Sequence, residues 1–330
     1  IPCMDHETNA RLTTLLGRPI QKGVFHSLDE PLMTAMVNVR LRHDDLAIQE
    51  IRSAAEATVE AHGLAQRSIR PGVSCHEVWA LMQAEFVRRG MGAAYNPIIT
   101  PAGEVLHCDS LNATLEKGDL VLLDVGAETP TGWAADVTRT WSVGAMPSDQ
   151  QRSIHAIVSK AHEDAVSMVA PGVEYRDIHL RACLTLTQGL VEVGILMGDP
   201  EDLVDRDAHA LFFPHGIGHL LGLDVHDMED LGDHAGYEKG RSRSDRFGLG
   251  YLRLDRPLAA GMVVTIEPGF YQVPTLLTKS ALSRAVRDCV DWTRLAHFAD
   301  VRGIRIEDDI LVTDSGYENL TNGIQREINI

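Results

Sequence analysis

The chain repeats itself. Ala61, His62, Ala65, Pro71, Gly72 and Val73 recur in the same order, at a constant offset of 100, as Ala161, His162, Ala165, Pro171, Gly172 and Val173. In the first copy, Ile48, Ile51, Ala55 and Val59 fall at spacings of three and four, which predicts an amphipathic helix over 44–68. In the second copy, Ile154, Ile157, Val158, Ala161, Ala165 and Met168 predict one over 154–169. A Pro-Gly pair stops each helix and another helix follows, over 74–89 in the first copy. Pro-Gly-Val alone is a common stop signal. Six matches at one offset point beyond it to duplication of a helix–helix–strand unit. Such a chain folds as one pseudo-symmetric α+β domain, with room for a site between its halves. Its 330 residues suit one large domain or two ordinary ones.

The strand-like runs hold polar residues where burial is expected. Leu120–Val125 is an apolar run ending in charge, and Val137–Val143 alternates and is rich in β-branched residues. The turn cluster Thr129-Pro130-Thr131-Gly132 between them predicts a β-hairpin that sets Asp124 beside Asp136. Two adjacent carboxylates repel and raise a pKa, a penalty that a bound cation removes; the alternative is that both face solvent. Val263–Tyr271 and Ile304–Thr313 also read as strands. The second places Ile304, Ile306 and Ile310 on one face and Arg305, Glu307 and Asp309 on the other. Glu267 and Glu307 are poorly placed in such strands unless paired. An ion pair with Arg305 would account for Glu307, but not for Glu267, Asp124 and Asp136.

His215, His219 and His226 lie within FPHGIGHLLGLDVHD. The first two have helix-face spacing, whereas the intervening glycines argue for close backbone approach, and no HExxH motif is present. Four carboxylates and one neutral imidazole form an oxygen-rich donor set suited to two divalent ions, Mn²⁺ first, with Co²⁺ or Zn²⁺ as alternatives. Such pairs sit roughly 3.5–4 Å apart and share a hydroxide nucleophile. Residues 228–256, Gly-rich with both signs of charge, read as a long mobile loop able to act as a lid. Residues 274–300 read as helical and peripheral.

Bulk properties exclude several classes. A formal charge of −17 gains nothing from phosphate counterion release, which argues against nucleic acid. Five cysteines, an odd number without CxxC spacing, predict a reducing, cytoplasmic setting without a disulfide framework. No run of about 18 apolar residues predicts a membrane span, and no secretory pattern opens the chain. Ile1 stands where Met would be expected, and residues 1–35 read as the end of a truncated N-terminal domain.

The motifs LLDVGAE, ADVTRTW, HGIGHLLGLDVHD, TIEPGFY and GIRIEDD, in that order, resemble the pita-bread metallopeptidases: methionine aminopeptidase, aminopeptidase P, prolidase and creatinase. The proline-specific branch fits best, and the resemblance covers roughly residues 35–320. It implies a catalytic domain over 36–330, built as a duplicated unit with a curved, mostly antiparallel sheet covered by helices. It implies metal ligation by Asp124, Asp136, His219, Glu267 and Glu307, with Asp136 and Glu307 bridging. His107, His215 and His226 match histidines that line the substrate site, and Arg305 matches an arginine that braces ligand carboxylates. Glu267 would relay the proton, and His226 with His215 or His107 would stabilise the oxyanion. Arg253, in LRLDRPLAAGMVVTIEPG, resembles the prolidase arginine that meets a substrate's terminal carboxylate; a solvated loop charge is the alternative.

The implied activity is hydrolysis of Xaa-Pro bonds in short proline-containing peptides. A dipeptidase of the prolidase type fits first, and aminopeptidase P acting on longer peptides is the alternative. A metal-free creatinase-like hydrolase and a non-catalytic binding protein are the rivals from other classes; both tend to alter ligand positions that are intact here. Two departures stand out. The turn between Asp124 and Asp136 is one residue longer than usual in the family. The N-terminal domain is missing but for its end, which bears on substrate length and on the homodimer the family allows.

Overall fold

The computed structural model describes residues 6–21 and 26–329; Cys3 and both extreme ends lie outside them. Two helices open the chain, α1 (His6–Leu16) and α2 (Glu30–Arg40). α2 runs across position 35, and its Met33 and Val37 sink into the main core. Arg40 at its end pairs with Asp224 and Asp227.

The repeated sequence becomes a repeated architecture. α3 (Asp45–Ser68) and α4 (Cys75–Arg88) form one helix pair, and α5 (Asp149–Ser167) and α6 (Tyr175–Glu192) form the other. Their starts are written locally. Asp44 caps α3 by accepting from Ala47 N, while Ser74 with Glu77 and Ser148 with Gln151 make reciprocal capping boxes on α4 and α5.

Each pair covers an antiparallel sheet. The first contains β2 (Ile98–Thr100), β3 (Leu120–Asp124) and β5 (Thr138–Ser142), in the order β2-β3-β5. The second contains β6 (Val263–Ile266), β9 (Asp308–Thr313) and β10 (Gly316–Asn319), in the order β10-β9-β6. Two ribbons flank them: β1 (Gly92–Ala93) with β4 (Ala127–Glu128), and β7 (Gly269–Tyr271) with β8 (Gly303–Arg305). One apolar cluster joins Ala61, Val78 and Phe86 to Val121, Leu123 and Trp141. The larger one joins Ile154, Val158 and Ile178 to Val264, Ile306 and Ile310. An isolated bridge between Thr138 and Glu307 ties the halves together. The predicted α+β duplication is thus what folds.

Five local readings are revised or resolved. Val263–Tyr271 is two strands, because Pro268 has no N–H to offer the ladder; the run nonetheless keeps one partner, the 303–313 run, and one register, as β6 pairs with β9 and β7 with β8. Ile304–Thr313 breaks opposite that point, at Ile306–Glu307. His215 and His219 are not on a helix; the chain there is irregular, as the glycines suggested. Residues 228–256 are not a bare loop. They carry the short helices Asp233–Gly236 and Phe247–Gly250 and are tied down by Arg241, which reaches Glu174, Glu238 and Asp255. Residues 274–300 do form short helices, yet Leu277, Leu295 and Phe298 sink into the core, so the segment is not merely peripheral. Among the described residues no helix is long and apolar enough to cross a membrane, and the described cysteines are free.

Three buried histidines make the fold sensitive to acid. Burial pushes His62, His155 and His162 down to about 4, so each is neutral in the folded chain at neutral pH. His62 Nε2 is hydrogen-bonded to Val125 O at 3.0 Å. The unfolded chain protonates these groups near pH 6.5. Between pH 6.5 and 4 it therefore binds more protons than the native state, and stability falls with pH across that window. Each histidine can withdraw up to about 3 kcal/mol by pH 4. The thermal midpoint is expected to drop steadily from pH 7 to 4, and His62→Gln, which keeps a donor for Val125 O, is expected to flatten that slope in calorimetry.

Candidate active site

A cavity of about 520 Å³ opens where the two sheets meet. All ten predicted site residues line it: Asp124, Asp136, His219, Glu267, Glu307, His107, His215, His226, Arg253 and Arg305. The first two arrive on the hairpin. β3 and β5 pair with Asp124 opposite Thr138, which leaves Asp136 two residues before its strand. Gly126 makes this approach feasible, since a Cβ there would lie 1.7 Å from Ala135 O. The Tyr95 hydroxyl spans the two carboxylates, 2.7 Å from Asp124 Oδ1 and 2.5 Å from Asp136 Oδ1.

The two glutamates come from the paired breaks in the other half. Released from the ladders, Glu267 N donates to Ile217 O at 2.8 Å, and Glu307 N donates to Thr138 O at 3.0 Å. The Thr138 hydroxyl donates to Glu307 Oε2 at 2.7 Å, which joins the halves through side chains as well. His219 sits on a segment pressed against β6. Gly218 has φ +154°, and a Cβ there would lie 2.2 Å from Thr265 O. His219 Nδ1 is 2.9 Å from Leu220 O, so its proton belongs on that nitrogen and Nε2 points to Asp136 Oδ2, 3.3 Å away. One ligand atom from each of Asp136, His219 and Glu307 falls within 4.8 Å of the others, and all three residues are buried.

Charge explains what this cluster requires. Burial pushes Asp124 up to about 6, with Asp136 adding to the rise. Burial pushes Glu267 up to about 7. Burial, followed by the charges of Asp136, Glu267 and Asp124, raises Glu307 well above the carboxylate range. Asp136 alone stays low: burial opposes its charge, but the hydrogen bonds from His219 and Tyr95 outweigh it. Burial lowers the pKa of His219, and Asp136 more than reverses this. The fixed cation against these four acids is Arg305, which pairs with Asp124 Oδ2 and stands 3.8 Å from Glu307. Ionised together, the acids would leave a large buried negative charge, which two divalent cations offset. The donor chemistry fits such ions: carboxylate oxygens and one imidazole nitrogen, with the other nitrogen already committed.

The ion pair with Arg305 weighed for Glu307 is present in weaker form, because that guanidinium leans on Asp124. Its Nε donates to Thr138 Oγ1 at 2.9 Å, and its Nη1 to the Tyr271 hydroxyl at 3.2 Å. The outer histidines divide. His215 Nε2 bonds the Tyr271 hydroxyl at 2.9 Å, and its Nδ1 is 3.7 Å from Glu267. The His226 ring packs edge-on to His219, with centroids 4.4 Å apart. Burial pushes both outer rings down to about 3, keeping them neutral. His107 is exposed at the rim. Arg253 reaches the cavity but pairs with Glu229 and stands 3.4 Å from His226 Nδ1.

Sequence reasoning missed Tyr95, Tyr271 and Glu229. Tyr271 closes the quoted TIEPGFY motif and was within reach. Tyr95 carries no local signal, because its partners lie far along the chain, and Glu229 stands three residues from His226 but pairs with Arg253 across 24 positions.

Comparisons place these motifs in context. The model of metallopeptidase family M24 matches residues 49–314. A probable Xaa-Pro aminopeptidase of Metarhizium robertsii is 34% identical over 317 residues, covering 88% of this chain and 62% of that protein. Human Xaa-Pro dipeptidase is 32% identical over 294 residues, covering 87% and 58%. The solved aminopeptidase PepP of Pseudomonas aeruginosa superposes with a TM-score of 0.76 at 30% identity, covering 98% of this chain and 67% of that one. The chain thus spans under two thirds of the fungal relative's length. The α+β architecture is the pita-bread fold.

Protons and divalent cations would compete for the same atoms if these residues hold the ions. Adding Mn²⁺ at about 100 times its dissociation constant is expected to stabilise the fold by about 2.7 kcal/mol, and EDTA to reverse it. The dissociation constant should rise as pH falls from 7 to 6, because protons then occupy Glu267 and Asp124. Asp136→Asn should lose most of the increment in thermal-shift measurements.

Proposed function

The chain belongs to metallopeptidase family M24, and from that premise we propose that it hydrolyses the peptide bond preceding proline at a two-metal site. Asp124, Asp136, His219, Glu267 and Glu307 hold the ions in this reading, Mn²⁺ before Co²⁺ or Zn²⁺. The observation that carries it is the convergence of four buried carboxylates and one oriented imidazole on a single cavity, with Arg305 as their fixed counter-charge. Relatives named as Xaa-Pro aminopeptidase and Xaa-Pro dipeptidase support the choice of bond. Four free cysteines among the described residues support a reducing, cytoplasmic setting.

When bound, such ions lower the pKa of water and polarise the substrate carbonyl. Glu267, pushed up to about 7 by burial, is poised to take a proton from the attacking water and pass it to the proline nitrogen. His226 and His107, both reaching the cavity, are placed to donate to the developing oxyanion. His215 is better placed as a brace, since Tyr271 occupies its Nε2 and it stands beside Glu267. Arg305 positions Asp124 and reaches Tyr271 rather than open solvent.

Arg253 separates the dipeptidase from the aminopeptidase. Its place in the cavity suits a clamp for a dipeptide's terminal carboxylate, and on that ground the dipeptidase reading is put first. Glu229 already occupies the guanidinium, which favours the aminopeptidase P reading. Comparing Ala-Pro with Ala-Pro-Ala as substrates, with Mn²⁺ added, decides between them. Cleavage of the tripeptide alone would reject the clamp. If the clamp operates, Arg253→Ala should raise KM for the dipeptide roughly 10-fold or more, as befits loss of a charged hydrogen bond of about 1.5–3 kcal/mol, with little change in kcat.

Glu267→Ala and Asp136→Ala should each abolish hydrolysis of Ala-Pro and of Ala-Pro-Ala, and chelation should silence the wild type. Full activity in either variant, or activity indifferent to chelation, would reject the scheme and favour a metal-free hydrolase of the same fold.

A further inference from the structure

Behind one wall of the cavity lies a second group of donors that takes no part in the chemistry above. His179 and Cys183 are one turn apart on α6, both fully buried, with Cys183 Sγ 3.4 Å from His179 Nε2 and 4.0 Å from Nδ1. His209, on the turn Ala208–Leu211, is also buried, and neither of its ring nitrogens has a hydrogen-bond partner. One ligand atom from each of the three residues falls within 4.8 Å of the others. None of them lines the cavity, and Phe213 stands between: its ring is 5.7 Å from that of His179 and 4.8 Å from that of His215.

The surroundings are shaped around these donors. His179 Nε2 is 2.9 Å from Gly248 O, so donating its proton there leaves the Nδ1 lone pair free. A side chain at Gly248 has no room: a Cβ would lie 2.6 Å from Asp207 Oδ1 and 2.9 Å from His209 Nε2, so these two atoms converge on one spot. Asp207 adopts φ 58°, a left-handed conformation uncommon outside glycine, directly before the helical turn that carries His209. Its Oδ1 is held by Arg246 at 2.8 Å. A completely buried imidazole that bonds through neither nitrogen is a rare and costly arrangement, and it calls for a partner. The thiol beside it gives no fixed hydrogen bond in exchange.

We propose that His179, Cys183 and His209 bind a thiophilic divalent cation of the Zn²⁺ class as a structural site separate from the catalytic cavity. One thiolate and two neutral imidazoles are three donors of the kind that zinc takes in structural sites. The His179–Gly248 bond is the outer contact that fixes a ligating imidazole. On binding, the Cys183 thiol loses its proton to solvent and no electron is transferred. The ion would join α6, the 207–211 turn and the Phe247–Gly250 helix, and so hold Phe213 and the His215 wall from behind.

Cobalt reads this site without reference to activity. A Co²⁺–thiolate bond gives a near-ultraviolet charge-transfer band, and the cavity's proposed ligands are oxygen and nitrogen only. Protein produced in zinc-depleted, cobalt-supplemented medium, with elemental analysis verifying cobalt as its bound transition metal, should show that band. Cys183→Ser should lose the band together with one equivalent of cobalt. Asp136→Asn and Cys108→Ser should both keep it, the latter because Cys108, half-buried near the cavity rim, is the other thiol an ion could meet. Cobalt-loaded wild type without the band, or a band undiminished in Cys183→Ser, overturns the site. The wild-type spectrum needs no variant to fold. Loss of this site with cobalt-dependent Xaa-Pro hydrolysis intact would leave the proposed function standing, and the reverse result would leave the site standing.

Discussion

Four carboxylates that share one poorly solvated cavity repel one another, and much of the molecule is arranged against that repulsion. Arg305 presses on Asp124, the Tyr95 hydroxyl lies between both aspartates with one proton to give, and Thr138 donates to Glu307. Each contact reaches across a boundary between elements. The repulsion is strongest with every acid ionised, which is the form that ligates. The same proximity that destabilises the cluster by itself makes it a strong receptor for divalent cations.

The backbone sets the two glutamates opposite each other by register, across a gap in one ladder. β6 and β9 pair up to Ile266 and Asp308, and β7 and β8 resume pairing at Gly269 and Arg305. Between them Glu267 and Glu307 are left out of the ladder, yet their N–H groups are not orphaned, because Ile217 O and Thr138 O accept them. The register does not shift across this gap, so Glu267 and Glu307 stay opposite each other and share one face of the sheet, toward the hairpin aspartates. The hairpin half stays regular and delivers Asp124 and Asp136 by register. The site therefore joins one regular half to one interrupted half.

A second, independent network holds the floor. Asp308, next to Glu307, is fully buried; burial opposes its charge, but Arg139 and Arg326 hold its pKa far below the usual range. Asp309 is pushed the other way by burial and by Asp136, whose N–H its carboxyl accepts. Adjacent acids on one strand are thus shifted in opposite directions because they face opposite sides of the sheet. The arginine side locks β9 to β5 and to the C-terminal segment, so the ligand-bearing edge rests on a rigid, charge-balanced support.

Much of the site could be read in the sequence because it is written in residue chemistry. Carboxylates inside apolar strands, histidines among glycines and a hairpin between Asp124 and Asp136 are local signals, and the cavity gathers the residues they marked together with His107 and Arg253, which only the family resemblance singled out. The helix pairs and their stops were equally local, and the 100-residue echo carried the duplication. The tertiary structure alone decided that the 263–271 and 303–313 runs pair with each other in one register across the Pro268 break, because periodicity names no partner strand. It alone decided that Tyr95 bridges two aspartates, that Glu229 takes Arg253, and that His209 meets His179 and Cys183. Periodicity reports which face a residue occupies, whereas these contacts join segments up to 41 residues apart. Such contacts exist only once packing has brought the segments together.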